Sequence, residues 1–406
     1  MRRVVITGMG GITALGESWS EIKENLQAGK TAVRLMPEWS DFQGMNACLA
    51  APILNHDLAN RWPRKKTRTM GTVSLYSVYA TEKALADAGL LDDPVLSSGR
   101  TGVAYGSSFG STAPMTEFSE LLFKKNLHKL TSTSYLKMMG HTTAVNTGLF
   151  FHVKGRIIPT STACTSGSLA LVYAAEAIRY GQQDVMIAGG AEEICPSMTA
   201  VFDVLYATTG AKDPSRAPRP YDASRDGLVL GEGATTLILE EYERAKARGA
   251  KIYAEVVGIA TNMDGNHVTQ PSPDTIEVMM RQALADANLD SSAIGFVSGH
   301  GTATEFGDIV ETTATHAVFG DGHPIHSMKS YFGHTLGACG ALESWLGIEM
   351  MRDQWFAPTA NLETIDERCA PLHYIKDEGL ALDTDYVMNN NYAFGGINTS
   401  LIFKRL

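Results

Sequence analysis

Two segments far apart in the chain are nearly the same: Lys83-Ala-Leu-Ala-Asp-Ala-Gly-Leu90 and Gln282-Ala-Leu-Ala-Asp-Ala-Asn-Leu289. Each ends a helical pattern with a residue suited to a left-handed cap, Gly89 in one and Asn288 in the other. An apolar strand pattern follows each, Thr101–Tyr105 and Ile294–Ser298, and another precedes each, Val4–Thr7 and Ala254–Val257. A third correspondence comes in the same order. Ser166-Gly-Ser-Leu-Ala-Leu171 opens a helix to about Tyr180, and Cys339-Gly-Ala-Leu-Glu-Ser344 opens one to about Asp353. One such echo could be a chance likeness between alanine-rich helix ends. Three in one order indicate a duplicated β-α-β unit. The expectation is an α/β protein with helix-covered sheets, its halves related by a pseudo-twofold and its site where they meet. The boundary falls near residue 250, after the basic helix Tyr242–Arg248, giving halves 1–250 and 251–406. No low-complexity linker separates them, so one body is expected.

Composition narrows the function classes. The 406 residues are 44% apolar and 19% charged, the profile of a globular chain. A net charge of −10 disfavours general nucleic-acid binding. The five cysteines are scattered, with no CxxC pair, which suggests neither a zinc knuckle nor a disulfide framework. Four of them read as buried small hydrophobes in a reduced, cytoplasmic protein. Met1-Arg2-Arg3 before Val4–Leu15 imitates a signal peptide, but the β-rich Val4-Val5-Ile6-Thr7 and the glycines after it read as a core strand entering a turn. No apolar run is long enough to cross a bilayer.

Three motifs mislead. Gly8-Met-Gly10-Gly-Ile-Thr13 lacks the third glycine and the later acidic residue of a dinucleotide fingerprint, and is read as a turn. Gly106-Ser-Ser108-Phe-Gly110 matches a nucleophile elbow, leaving an α/β-hydrolase with Ser108 as nucleophile as a competing function. His323-Pro-Ile-His326 fits no ligand spacing and reads as a loop entering a strand; no metal site is expected.

The chemistry concentrates in four segments. In Pro159-Thr-Ser-Thr-Ala-Cys164-Thr-Ser-Gly-Ser-Leu-Ala170 a strand, Arg156–Pro159, runs into a small-residue turn and then a helix. Cys164 is thereby placed near a helix N-terminus, where the dipole lowers a thiol pKa. In Gly299-His300-Gly-Thr302-Ala-Thr304-Glu-Phe-Gly-Asp308-Ile-Val-Glu311 the histidine lies in a loop beyond a strand end. Asp308 and Glu311 share a face of the following helix. In Lys329-Ser-Tyr-Phe-Gly-His334-Thr-Leu-Gly337 the histidine precedes the second duplicated helix, so the pseudo-twofold would bring it opposite Cys164. In Asn390-Asn-Tyr392-Ala-Phe394-Gly-Gly396-Ile-Asn398 a glycine pair suits a turn that presents N–H groups to a pocket.

Thr162-Ala-Cys-Thr-Ser-Gly167, Gly299-His-Gly-Thr-Ala-Thr304 and Lys329-Ser-Tyr-Phe-Gly-His334 resemble, in order, the signature segments of β-ketoacyl–acyl carrier protein synthases, as does Arg225-Asp-Gly-Leu-Val-Leu-Gly-Glu-Gly-Ala234. The resemblance covers essentially the whole chain. It implies the thiolase-like five-layer αβαβα fold and usually a dimer. It also implies decarboxylative condensation of malonyl-carrier protein with an acyl group held on Cys164. By the same resemblance His300 and His334 stabilise the enolate, and the N–H groups of Cys164 and Phe394 form the oxyanion hole. Lys329 holds His334 and pairs with Glu311, and Thr302 and Thr304 bind phosphopantetheine. That arm belongs to the carrier protein, so no other cofactor is implied. A close alternative is a thiolase-type enzyme acting on coenzyme A esters, although thiolases usually carry a second catalytic cysteine.

An acidic carrier would need local positive charge. Arg61, Arg64, Lys65, Lys66 and Arg68 fall within eight residues, and Lys124, Lys125 and Lys129 form a second cluster. Either could also be an ordinary solvated face. The family's C-terminal turn usually reads Asn-Ser-Phe-Gly-Phe-Gly-Gly-Thr-Asn. Here Asn391 stands for Ser, Tyr392 for Phe, Ala393 for Gly and Ile397 for Thr. Phe109 replaces a smaller aliphatic wall of the acyl pocket. These departures raise a second possibility, a specialised polyene or polyketide ketosynthase that works as a heterodimer with a chain-length-factor-like homologue rather than as a homodimer.

Overall fold

The computed structural model describes residues 1–54 and 56–406. Five strands of the first half, β1 (Val4–Thr13), β2 (Thr101–Gly106), β3 (Ile157–Thr160), β4 (Val185–Glu192) and β5 (Gly233–Glu241), lie in the order β3-β2-β4-β5-β1. Five of the second half, β6 (Ala254–Met263), β7 (Phe296–Ser298), β8 (Pro324–His326), β9 (Tyr386–Ala393) and β10 (Ile397–Lys404), lie in the order β8-β7-β9-β10-β6. The directions repeat as well. The first three strands in each order are mutually parallel, and the fourth and fifth are each antiparallel to the one before. The two sheets meet where Val5 and Ile6 of β1 pair with Glu255 and Ala254 of β6. A short edge strand, His373–Tyr374, extends the second sheet beyond β8.

The helices repeat in the same way. α1 (Thr72–Asp87) covers β1 and β5 on the outside of the first sheet, and α3 (Pro273–Ala287) covers β6 and β10 outside the second. α4 (Glu305–Phe319) packs beside α3. α2 (Ser166–Arg179) and α5 (Cys339–Asp353) form the middle layer between the sheets. Both are apolar around most of their circumference, as a helix enclosed by two sheets must be. Their close approach depends on small residues. A Cβ on Gly167 would lie 2.9 Å from the Gly337 carbonyl and 3.2 Å from the Ala341 methyl. The result is the five-layer αβαβα duplication.

The strand limits shift slightly from the sequence reading. β3 begins and ends one residue later, and β7 starts at Phe296 rather than Ile294. The larger correction concerns Gly8, Gly10 and Gly11. They form no turn; β1 runs through them to Thr13. A Cβ on Gly8 would lie 2.3 Å from the Ala84 carbonyl oxygen, and one on Gly10 would lie 2.6 Å from the Ala84 nitrogen. On the other face a Cβ on Gly11 would lie 2.4 Å from the Trp345 ring. These glycines let helices press on both faces of the strand.

Candidate active site

Each duplicated helix is entered through the same device. In the first half a 3₁₀ turn, Ala163–Thr165, precedes α2, with Ala163 at φ +49°. In the second half the turn Leu336–Ala338 precedes α5, with Leu336 at φ +46°. Cys164 thus sits where Gly337 sits in the other half. His334, just upstream of the second turn, crosses the pseudo-twofold and places Nε2 2.9 Å from Cys164 Sγ.

His300 arrives from the end of β7. Glu311 on α4 accepts N–H bonds from His300 at 2.5 Å and Gly301 at 2.7 Å, which fixes the loop. Asp308 accepts from the N–H groups of Ala303 and Tyr221, at 3.2 and 2.7 Å. The two imidazoles meet edge to face, ring centres 5.2 Å apart. Thr302 and Thr304 join their hydroxyls at 2.8 Å.

The sequence reading paired Lys329 with Glu311 and aimed it at His334; the structure corrects both. Lys329 Nζ donates to Glu343 Oε1 at 2.5 Å and to His300 Nδ1 at 3.2 Å. Glu311 is engaged by backbone N–H groups instead. Glu343 was missed, although its signal was available: it is an acidic residue inside the apolar repeat that opens α5. Asn391, from β9, donates to Glu343 Oε2 at 2.6 Å.

Hydrogen bonding assigns both imidazole tautomers. His334 Nδ1 accepts the Leu336 N–H at 3.2 Å, and His300 Nδ1 faces the Lys329 ammonium. Each ring therefore carries its proton on Nε2. Burial, reinforced by Lys329, pushes both histidines well below the ordinary imidazole pKa, so they are neutral. Sulfur and nitrogen atoms of Cys164, His300 and His334 lie within 4.8 Å of one another, close enough to ligate a metal. The tautomers oppose it: with the proton on Nε2, neither ring offers a free lone pair toward the sulfur.

Burial pushes the Cys164 thiol up to about 11, against the lowering effects of Lys329 and of the N–H groups of Phe394 and Cys164. The depressed thiol pKa expected from the helix terminus is therefore not found; enclosure outweighs it. Beside the cysteine, Glu192 is fully buried and raised to about 7 by desolvation. It accepts from Ser107 Oγ, from the Ser108 N–H and hydroxyl, and from the Gly337 N–H, linking the two halves.

This contact disposes of the hydrolase alternative. The Ser108 hydroxyl is given to Glu192, and among the described residues no histidine bonds it. No strand-to-helix elbow follows either, since the next helix starts at Pro114. Phe109 is 37% exposed and does not line the cavity that opens over Cys164.

The site opens into a cavity of about 470 Å³, lined by Cys164, His300, His334, Thr302, Thr304 and Phe394, among others. Phe394 lies in the β9–β10 turn, where Gly395 and Gly396 take φ values of +93° and +75°. Its ring packs against Phe202, 5.4 Å between centres. Of the basic residues, Arg61 is bound to Glu82 at 2.6 Å and Lys124 to Glu120 at 3.6 Å. Arg64, Lys65, Lys66, Arg68 and Lys125 are exposed. No helix among the described residues is long and apolar enough to cross a membrane.

A duplicated five-layer fold with cysteine and two neutral histidines at its pseudo-twofold defines a condensing acyltransferase. The comparisons agree. Residues 1–245 match the β-ketoacyl synthase N-terminal domain, and residues 253–363 match the C-terminal domain. The chain is 36% identical over 411 residues to 3-oxoacyl-[acyl-carrier-protein] synthase 1 of Haemophilus influenzae, covering 100% of this chain and 99% of that one. The crystal structure of a β-ketoacyl synthase from Burkholderia phymatum superposes with a TM-score of 0.99 at 57% identity, covering 100% of both chains. The ishigamide ketosynthase/chain length factor gives a TM-score of 0.91 at 29% identity, covering 100% of this chain and 99% of that one. The chain belongs to the β-ketoacyl synthase family.

Proposed function

We propose that this chain is a β-ketoacyl–acyl carrier protein synthase in which Cys164 carries the growing acyl group and His300 and His334 activate the malonyl extender. The single observation that carries the assignment of roles is the convergence of one thiol and two neutral Nε2–H donors on one cavity.

In the first half-reaction Cys164 sulfur attacks the carrier thioester. The new C–S bond replaces the pantetheine C–S bond, and the cysteine proton leaves on the pantetheine thiol. The N–H groups of Cys164 and Phe394, which already face the sulfur, hold the tetrahedral oxyanion. In the second, malonyl-carrier protein enters past Thr302 and Thr304, whose hydroxyls suit the amides of the arm. The Nε2–H groups of His300 and His334 donate to the thioester oxygen as the carboxylate departs as CO₂ and enolate charge develops. The enolate carbon attacks the acyl group on Cys164, giving the β-ketoacyl product and returning the thiolate, which takes up a proton from solvent.

No cofactor beyond the carrier's own phosphopantetheine has a part in this reading. Five free cysteines fit a reducing, cytoplasmic setting. The exposed Arg64, Lys65, Lys66, Arg68 and Lys125 are the surface on which an acidic carrier would dock, and Arg61 and Lys124 contribute less because each already has a carboxylate. The thiolase alternative lacks its second nucleophile: Cys339 donates its thiol to the Cys164 carbonyl at 3.2 Å and lines no part of the cavity. The partner copy is either a second copy of this chain or a homologue, as the ketosynthase paired with a chain length factor illustrates. The test is to mix the protein with acyl- and malonyl-carrier proteins and follow β-ketoacyl-carrier by mass together with CO₂. Product from wild type and none from Cys164→Ala supports the reading; equal product from both overturns it.

A further inference from the structure

Asn391 is fully buried on β9 and stands where the family usually has serine. Its amide is committed on both sides. Oδ1 accepts from Asn389 Nδ2 at 3.1 Å, while Nδ2 donates to Glu343 Oε2 at 2.6 Å and faces His300 Nδ1 at 3.3 Å. Lys329 mirrors it, reaching the other Glu343 oxygen at 2.5 Å and the same His300 nitrogen at 3.2 Å. The four side chains close a ring: Lys329, Glu343, Asn391, His300. The fold makes room for the amide, since a Cβ on Gly340 would lie 2.6 Å from Asn391 Oδ1.

We propose that Asn391 is a positioning residue that supplies His300 Nδ1 with a second donor and so holds the ring as the Nε2–H tautomer that serves the extender. Two N–H donors converge on Nδ1, and a proton there would meet both head-on. The ring then has one way to be satisfied, with Nδ1 accepting and Nε2–H turned to the cavity. Serine is shorter and carries a single hydrogen, so it cannot bond Glu343 and face His300 together. Asn391 also occupies the Glu343 oxygen that Lys329 leaves free, keeping a buried carboxylate fully bonded. The inference deepens the condensing reading and rests on it for its catalytic consequence.

The experiment uses full-length enzyme with ¹⁵N-labelled histidine. Ring-nitrogen NMR reports the His300 tautomer in wild type, Asn391→Ala and Asn391→Ser, beside kinetics of both half-reactions. Wild type is expected to show His300 wholly as the Nε2–H form across the neutral range. Asn391→Ala is expected to show a mixture. Its condensation kcat should fall about tenfold, the scale of one buried hydrogen bond, with KM for malonyl-carrier and Cys164 acylation unchanged. Asn391→Ser should recover part of both effects. An unchanged His300 tautomer in Asn391→Ala overturns the proposal, as does a parallel fall in acylation and condensation. If wild type makes no condensation product either alone or with a chain-length-factor-like homologue supplied, the condensing reading fails, and the tautomer spectra still decide the role of Asn391.

Discussion

His334 Nε2 lies 2.9 Å from Cys164 Sγ while its Nδ1 accepts the Leu336 N–H. The histidine therefore gives a hydrogen bond to the sulfur rather than taking its proton. The histidine thus serves the extender half-reaction and not the acylation of Cys164, and mutation should separate the two steps. In His334→Ala or His300→Ala, acylation of Cys164 should persist, while malonyl-carrier decarboxylation drops about 10²–10³-fold, the scale of losing one preorganised donor. Stopped-flow acylation and CO₂ release measured on the same preparations check this. Equal loss of both steps would place the histidines in nucleophile activation.

Glu192 makes a pH prediction. Its folded pKa, about 7, is above the ordinary 4.5. A carboxyl raised in this way binds its proton more tightly in the folded chain. It therefore adds stability at low pH that is lost as pH rises through about 7. Glu192→Gln cannot ionise, so its stability relative to wild type should improve by roughly 2–3 kcal/mol between mildly acidic and mildly alkaline buffer. Urea unfolding at the two pH values measures it. A pH-independent difference would mean that Glu192 titrates normally.

Gly10 tests the layer packing. A methyl there would lie 2.6 Å from the Ala84 nitrogen, in backbone that cannot swing aside. Gly10→Ala should destabilise by about 1–3 kcal/mol, as overpacking does. Gly347, inside α5, is the control, because a Cβ there meets nothing within 4 Å and its backbone is helical, which a side chain adopts without strain. Thermal melts of the two variants should separate; coincidence would mean that α1 does not press on β1 as described.

Much of this was legible in the chain because the duplication writes each element twice. The echo ending at Gly89 and Asn288 marks the outer helices, and the Ser166 and Cys339 segments mark the inner pair. Cys164, His300 and His334 were legible because glycines and small residues flank them at strand ends. What failed depended on partners distant in sequence. Gly8, Gly10 and Gly11 look like a turn until Ala84 and Trp345 are known to lie on either side. Lys329 has two candidate carboxylates, Glu311 and Glu343, and only the packing of α5 against β9 selects the second. Burial of Cys164 is likewise a sum over both halves, so the helix terminus alone gave the wrong direction for its pKa.

The most direct measurement is intact mass of the protein after exposure to an acyl-carrier protein, followed by addition of malonyl-carrier protein, beside Cys164→Ala. The account requires an acyl adduct on wild type that is absent from the variant and is discharged as β-ketoacyl-carrier when malonyl-carrier is added. An adduct that survives in Cys164→Ala, or one that malonyl-carrier discharges only as the free acid, would contradict it.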